Sequence, residues 1–190
     1  GKGNGEFKDP VETREGFAWQ TTDSSKKAFS FDQTPFQLAD VNGDNRADIV
    51  EFGNAWVLND TVSVRLGTSN GRFENAKAAL FKQFTNDRFV NAKEALSKQF
   101  TNADGYGWSS FDKFPRQLAD VNGDGRADIV GFGASKVIVS LGKDNGQFET
   151  VKDALDKEFT YSDGWTSFDK LPRQLADVNG DGRADIVGFG

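Results

Sequence analysis

The sequence predicts an all-β protein built from repeated antiparallel units. Three observations predict it: an acidic, glycine-rich stretch occurs three times, short β-branched segments follow it, and glycine or asparagine separates those segments. The copies begin at Asp40, Asp120 and Asp177, and the last two share the string DVNGDGRADIVGFG. Short strands repeated in this way are typical of folds whose units must pack on their neighbours to bury their faces.

The composition of one unit predicts four strands, in RQLADVN, ADIVGFG, KVIVSLG and GQFE. Two of these segments, RADIVGF and VIVSL, are rich in β-branched residues. The Asn-Gly pair in SLGKDNGQF favours a tight hairpin turn. Four short antiparallel strands per repeated unit are the signature of a β-propeller blade, and the chain has room for about three blades and part of a fourth.

We expect residues 1–190 to form a single propeller-type domain. Its units are predicted at about 1–7 (a last strand only), 17–73, 108–148 and 162–190 (incomplete), with a duplicated insertion near 75–104, where NAKAALFKQFTN recurs as NAKEALSKQFTN. The segment after GQFE is expected to connect blades through one helical turn. This expectation rests on the helical spacing of two sets of residues: Val151, Leu155 and Phe159, and Ala76, Leu80 and Phe84.

Both ends of the chain predict a neighbour. GKGNGEF at residues 1–7 aligns with GKDNGQF at 142–148, as the last strand of a blade whose earlier strands lie elsewhere, and residues 183–190 need a partner strand. Exposed edges of this kind favour pairing with another chain. Either the chain is part of a longer polypeptide or several copies associate to complete one ring.

Composition excludes several function classes. The formal net charge is −6, and the three aspartates and one arginine in each acidic stretch account for all of it. A nucleic-acid partner is not expected, because it needs a basic face. Without cysteine or histidine there are no disulfides, no thiol chemistry and no histidine general base. No apolar run approaches the roughly 18 residues of a membrane span, and no signal peptide is visible.

The acidic stretch has the spacing of a calcium loop. Oxygen-bearing side chains occupy positions 1, 3, 5 and 9, a glycine at position 6 permits a sharp turn, and residue 7 offers its carbonyl. Oxygen ligands select calcium over zinc or copper, and carboxylates crowded without a cation repel each other. The sequence therefore predicts structural Ca²⁺, up to three ions per chain, bound by Asp40, Asn42, Asp44, Arg46 and Asp48; by Asp120, Asn122, Asp124, Arg126 and Asp128; and by Asp177, Asn179, Asp181, Arg183 and Asp185.

A plain turn is the alternative, since Asn-Gly-Asp-Gly is also favourable turn chemistry. A turn alone does not require aspartate at positions 1, 5 and 9 in three copies. Asn45 replaces glycine at position 6 of the first copy, and we expect weaker binding there because asparagine only partly replaces glycine in left-handed backbone. Calcium loops of modest affinity suit an extracellular protein.

The repeated string, preceded by FDKxPRQLA and followed by VIVSLG and NGQF, resembles the FG-GAP (VCBS-like) repeat of β-propellers. The spacing from Trp165 through FDKLPR to the third loop is most similar to the fungal propeller lectins of the Psathyrella velutina lectin type. The resemblance covers nearly the whole chain apart from the duplicated segment. It implies six or seven blades, calcium in the blade loops, and pockets between blades for N-acetylglucosamine-type or sialylated glycans.

The residue types are also typical of sugar binding. Sugar sites combine an aromatic face with carboxylate, amide or arginine groups that reach the hydroxyls. The candidate ligand-binding residues are Trp108, Asp112, Arg116, Trp165, Asp169 and Arg173. The first unit has Ala28, Asp32 and Phe36 at these positions, so no working pocket is expected there. The alternative is that the aromatic residues seal neighbouring blades and that the Asp–Arg pairs are solvated.

The leading hypothesis is a non-enzymatic, multivalent lectin whose partners are glycans and glycoproteins, with avidity raised by repetition. The alternative is a protein-interaction or adhesion module of a larger secreted protein. Catalysis is not favoured, because nearly every repeated carboxylate is assigned to a loop and no nucleophile motif is present.

Overall fold

The structure is a computed structural model that describes residues 35–52, 62–74, 77–78, 100, 108 and 110–190. These residues form ten strands and one short 3-10 turn, Tyr161–Asp163, and contain no helix long and apolar enough to cross a membrane. The strands are β1 (Phe36–Ala39), β2 (Asp48–Phe52), β3 (Val62–Arg65), β4 (Lys77–Ala78), β5 (Arg116–Ala119), β6 (Asp128–Phe132), β7 (Lys136–Ser140), β8 (Lys152–Asp156), β9 (Arg173–Ala176) and β10 (Asp185–Gly188).

The strands form three antiparallel sheets in chain order. Strands β1 to β4 make the first blade, β5 to β8 make the second blade, and β9 and β10 make a two-stranded third unit. Each acidic loop joins the first two strands of its sheet, which pair in the same register: Ala39 with Asp48, Ala119 with Asp128, and Ala176 with Asp185. The predicted all-β fold of antiparallel propeller blades is confirmed.

The fourth strand of the second blade is not where the sequence predicted it. GQFE contributes only one isolated bridge, between Gly142 and Phe148, and the outer strand is β8. The expected helical turn over Val151 and Leu155 is therefore wrong. A spacing of four residues fits a strand as well as a helix, because side chains on one strand face recur every two residues. The second set of residues with this spacing, Ala76, Leu80 and Phe84, lies outside the described residues.

The hydrophobic core lies between the sheets, in two layers. The first junction, between the two blades, buries Val50 and Phe52 from one side and Ile129 and Ile138 from the other. The second junction lies between the second blade and the third unit, and it packs Phe132 and its neighbours against Leu175 and Ile186. Strand β6 serves both, since Ile129 belongs to the first junction and Val130 to the second.

The inner strands bring the sheets together. Strand β5 lies beside β1 and also beside β9, which gives the radial arrangement of propeller blades. The side-chain amide of Gln37 donates to the carbonyl of Arg116, and that of Gln117 donates to the carbonyl of Arg173. A glutamine at the equivalent position of β1 and of β5 therefore links each of these strands to the next inner strand.

Several predictions from the sequence lie outside the described residues. These are the terminal strand at 1–7, the first-unit positions Ala28 and Asp32, and most of the duplicated segment at 75–104.

Candidate functional site

Each acidic loop is wound around its first aspartate. The carboxylate of Asp120 accepts hydrogen bonds from the backbone N–H groups of Gly123 at 2.7 Å, Asp124 at 3.2 Å and Gly125 at 2.7 Å. Gly125 has a φ of 81°, a left-handed conformation that costs glycine little. Its equivalent in the first loop, Asn45, adopts a φ of 62° and also donates to the first aspartate. Asparagine thus maintains the same loop.

The fifth-position aspartate is held by the arginine two residues later. One oxygen of Asp124 accepts the backbone N–H of Arg126 at 2.9 Å, and the other accepts its guanidinium at 2.5 Å and the amide of Asn122 at 3.0 Å. Asp44 and Arg46 form the same ion pair in the first loop. The arginine predicted to supply only a carbonyl therefore also supplies a positive charge.

The ninth-position aspartate is buried and anchors the loop to the outer hairpin. Asp128 is fully buried, and its two oxygens accept the N–H groups of Gly142 at 2.8 Å and Val121 at 3.0 Å. Burial raises the pKa of Asp128, and these hydrogen bonds partly offset the rise. Asp48 has the same two kinds of partner in the first blade, and burial raises its pKa too.

The third loop repeats the first half of this arrangement at the surface. Asp177 accepts the N–H groups of Gly180 at 2.7 Å and Gly182 at 2.9 Å, and these hydrogen bonds lower its pKa. Asp185 accepts the N–H of Val178 at 3.2 Å. The three loops are also joined in a row, since the N–H of Ala127 donates to the carbonyl of Asp40 at 2.7 Å and that of Ala184 donates to the carbonyl of Asp120 at 2.8 Å.

The candidate ligand residues of the second unit form a buried cluster. Trp108 is 3% exposed and packs against Phe100, with ring centroids 5.6 Å apart. The guanidinium of Arg116 is fully buried, 5.8 Å from the Trp108 ring and 5.5 Å from the ring of Phe52 in the first blade. Arg116 donates to the carbonyl oxygens of Phe100 at 2.9 Å and Trp108 at 3.3 Å. Its position lets it tie the first blade to the second.

The third unit repeats this cluster. Arg173 is fully buried, with its guanidinium 5.9 Å from the Trp165 ring and 5.4 Å from the Phe132 ring of the second blade. It donates to the carbonyl of Phe159 at 3.1 Å. Burial lowers the pKa of Arg173 to about 10, which leaves the group charged at neutral pH. Trp165 itself is only half-buried.

A glycine makes room for each tryptophan. A Cβ added at Gly131 would lie 2.6 Å from both Phe100 and Trp108, and one added at Gly188 would collide with Trp165. The first blade has Glu51 at this position. There Glu51 accepts a hydrogen bond from Ser63 at 3.0 Å instead.

The candidate aspartates meet across the second junction. Asp112 accepts hydrogen bonds from the Ser167 hydroxyl at 2.9 Å and the Asp169 backbone N–H at 3.0 Å. The bond from Asp169 is the main cause that lowers the pKa of Asp112, and the charge of Arg173 adds to it. The sequence grouped Asp112 with Arg116, whereas the structure places it against the next unit.

Comparison with known proteins identifies the repeat. Residues 120–188, from the second acidic loop to the end of β10, match the family model described as an FG-GAP-like repeat. Residues 120–188 carry an FG-GAP-like repeat. The predicted resemblance is confirmed, and the matched residues contain the second and third acidic loops and strands β6 to β10.

Among solved structures, the chain is similar to an Agrocybe aegerita lectin, described as specifically recognising non-reducing terminal N-acetylglucosamine. The two share 33% sequence identity with a TM-score of 0.64. The similarity covers 83% of this chain and 32% of the lectin, so the chain spans about a third of that lectin's length. No curated protein matches the chain.

The predicted calcium ligands lie together in each acidic loop, where the carboxylates accept hydrogen bonds from the loop itself. Among the described residues, no group of three carboxylates is arranged to hold a metal ion. In the first two loops, all the carboxylate oxygens face N–H groups or arginine instead. The donor chemistry suits calcium, whereas the arrangement does not fit it, and the calcium prediction stays a prediction.

The predicted sugar-binding residues differ in their exposure to solvent. Trp108, Arg116 and Arg173 are buried in the junctions, while Trp165, Asp112 and Asp169 reach the surface. The contribution of any of them to ligand binding stays a prediction. Sequence reasoning missed Ser167 and the two junction glutamines, Gln37 and Gln117, although the repeated W-x-S-F-D-K and QLAD strings contain them.

Proposed function

We propose that this chain is a carbohydrate-binding, non-enzymatic part of a β-propeller lectin. The observation that carries the proposal is the similarity to an N-acetylglucosamine-recognising lectin, at 33% identity over 83% of this chain. Glycans ending in N-acetylglucosamine are therefore the first ligands to test, followed by sialylated glycans. An extracellular setting, in which such glycans are displayed, belongs to the same proposal.

The surface of the second junction is the site that we propose for the sugar. It offers the half-buried indole of Trp165, which lies against the Arg173 guanidinium. It also offers the carboxylates of Asp112 and Asp169, which are neighbours because the Asp169 backbone N–H donates to Asp112. An aromatic face can stack on the C–H surface of a sugar while carboxylates accept its hydroxyl groups. Because Asp112 is already fixed by Ser167 and the Asp169 backbone, its oxygens are oriented before a ligand arrives.

Titration calorimetry with N-acetylglucosamine oligomers tests the proposal on the full chain. We expect weak binding by the chain, and about a tenfold loss of affinity for Asp169→Ala, which removes an exposed carboxylate without disturbing the buried junction. Asp144→Ala is the matched control, since Asp144 is exposed on the outer hairpin of the second blade. Absence of binding to both N-acetylglucosamine-terminated and sialylated glycans would overturn the proposal.

A second candidate function is a protein-interaction module, and an exposed apolar surface favours it. Val178 is 67% exposed and Phe189 is 54% exposed, whereas Val41 and Phe52, their equivalents in the first blade, are fully buried. We propose that this face is covered by a partner protein or by a further blade, from the same polypeptide or from another copy of the chain. Binding to a protein that free sugar does not displace would favour the interaction module over the lectin.

A further inference from the structure

We propose that the acidic loops of the first two blades are closed by their own arginine and backbone amides, and that they keep their structure without a divalent cation. Arg46 and Arg126, at the seventh position, act as the internal counter-ions. This inference concerns the loops alone and does not depend on carbohydrate binding.

The hydrogen bonds of the second loop use every carboxylate oxygen. Those of Asp120 accept N–H groups from Gly123 and Gly125, both at 2.7 Å. Those of Asp124 accept the backbone and the guanidinium of Arg126, and those of Asp128 accept two backbone N–H groups. A calcium ion requires six to eight oxygen ligands directed at one point, and here every carboxylate oxygen of the loop already accepts at least one N–H donor.

The first loop shows the same arrangement independently. Asp40 accepts N–H groups from Gly43 and Asn45, both at 2.7 Å. Asp44 accepts the backbone and guanidinium of Arg46, and Asp48 accepts two backbone N–H groups. Two loops with different residues at the sixth position therefore close in one way.

The arginine is fixed at both ends of its side chain. The Nε of Arg126 donates to the carbonyl of Gly142 at 3.2 Å while its Nη2 holds Asp124. Its aliphatic stem crosses to the neighbouring loop, where a Cβ added at Gly43 would lie 3.2 Å from the Arg126 Cγ. Arg46 likewise donates to the carbonyl of Gly67 at 2.9 Å. A calcium loop needs only the carbonyl of this residue, whereas here the guanidinium joins the loop to the outer hairpin.

The amide of the third-position asparagine adds a further obstacle to a cation. Its Nδ2 donates to the fifth-position carboxylate at 3.0 Å in both loops, from Asn42 to Asp44 and from Asn122 to Asp124. A cation would have to displace this donor and the guanidinium from the same oxygen. Charge-assisted bonds such as Arg–carboxylate are the stronger class of hydrogen bond, so the displacement is costly.

The third loop supplies a matched control within the chain. No ion pair links Arg183 to Asp181 among the described residues, although the backbone N–H of Arg183 donates to Asp181 at 2.9 Å. The stem of Arg183 still lies against Gly123, as that of Arg126 lies against Gly43. The Arg126→Gln variant therefore loses the ion pair to Asp124 and the hydrogen bond to the Gly142 carbonyl, whereas Arg183→Gln loses neither.

The experiment measures the thermal midpoint of the full chain in excess chelator and in about 1 mM Ca²⁺, the upper range of extracellular calcium affinities. We expect the two midpoints to agree within about 1 °C. Arg126→Gln in chelator should lower the midpoint by about 3 °C, which corresponds to one charged hydrogen bond in a chain of this size, and Arg183→Gln should leave it unchanged. Calcium binding confined to the third loop, and abolished by Asp181→Asn, would agree with the proposal.

Two results would overturn it. One is a calcium-dependent rise of several degrees in the midpoint of the unmodified chain that Asp124→Asn abolishes. The other is calorimetric binding of two or more calcium ions per chain.

Discussion

The second blade and the third unit carry the same string, DVNGDGRADIVGFG, in two different surroundings. Phe132 of the second blade is fully buried, while Phe189, its equivalent in the third unit, is 54% exposed. Phe132 is buried because Arg173 of the following unit lies over its ring. The phenylalanine of each repeat is thus a junction residue, whose burial is supplied by the following unit.

Truncating each phenylalanine in turn should give the largest effect and tests whether the following unit determines how much the residue stabilises the fold. Phe132→Ala should lower the free energy of unfolding by about 3–5 kcal/mol, since it leaves a cavity in the second junction. Phe189→Ala should cost less than about 1 kcal/mol. Chemical denaturation of both variants measures the two losses, and equal losses would show that a neighbour does not determine the contribution.

The arginine that covers Phe132 gives the next largest effect. Arg173→Ala removes a hydrogen bond to the Phe159 carbonyl and the packing between two aromatic rings, and it should cost about 2–3 kcal/mol. Arg72→Ala, in an exposed turn of the first blade, should change stability by less than about 0.5 kcal/mol. Denaturation curves decide, and a loss at Arg72 as large as that at Arg173 would contradict the assigned role.

The junction glutamines offer a smaller test of the same principle. Gln117 donates to the carbonyl of Arg173 across the second junction, while Gln174, at the equivalent place on β9, is exposed. Gln117→Ala should cost about 1 kcal/mol, the value of one hydrogen bond, and Gln174→Ala should be nearly neutral. Thermal unfolding of the two variants measures the two losses of stability. A loss for Gln174→Ala equal to or larger than that for Gln117→Ala would contradict the prediction.

The smallest expected effect concerns pH. The hydrogen bond from the Asp169 backbone lowers the pKa of Asp112 below its ordinary value of 3.8. Asp112 therefore stabilises the fold above about pH 4, and this contribution is lost as the pH falls through its lowered pKa. Because Asp112 is only half-buried, the loss should be below about 1 kcal/mol. Stability measured against pH should fall less steeply below pH 4 in Asp112→Asn than in the control Asp144→Asn.

Much of the fold could be predicted from the sequence because the strands carry local signals. Strands β6 and β7 follow the β-branched runs DIVGF and VIVS, and the hairpin that contains each loop lies where glycine and aspartate are concentrated. The outer strand β8 could not be predicted, because its sequence KDALD does not alternate between apolar and polar residues. The spacing of apolar residues around it also fits a helix. Its pairing with β7, across a bulge between Val137 and Ile138, is a tertiary effect.

The site could be predicted only in part, for a related reason. The sequence shows which carboxylates share a loop, but not whether their oxygens face a cation, an amide or an arginine. It also cannot show directly that Asp112 is completed by residues up to 57 positions away. The period of the repeat is the signal that would have paired them, because the partner of each junction residue lies one unit further on.

The alternation of β6 has a consequence for how such a chain can change its length. Since Ile129 and Val130 belong to different junctions, a blade owns neither layer of core and shares both with its neighbours. Every copy therefore has two different packing faces, and each face is complementary to the facing surface of the neighbouring copy. Duplicating or deleting a whole copy by recombination would therefore leave each remaining joint intact, with stability changing in steps of one interface.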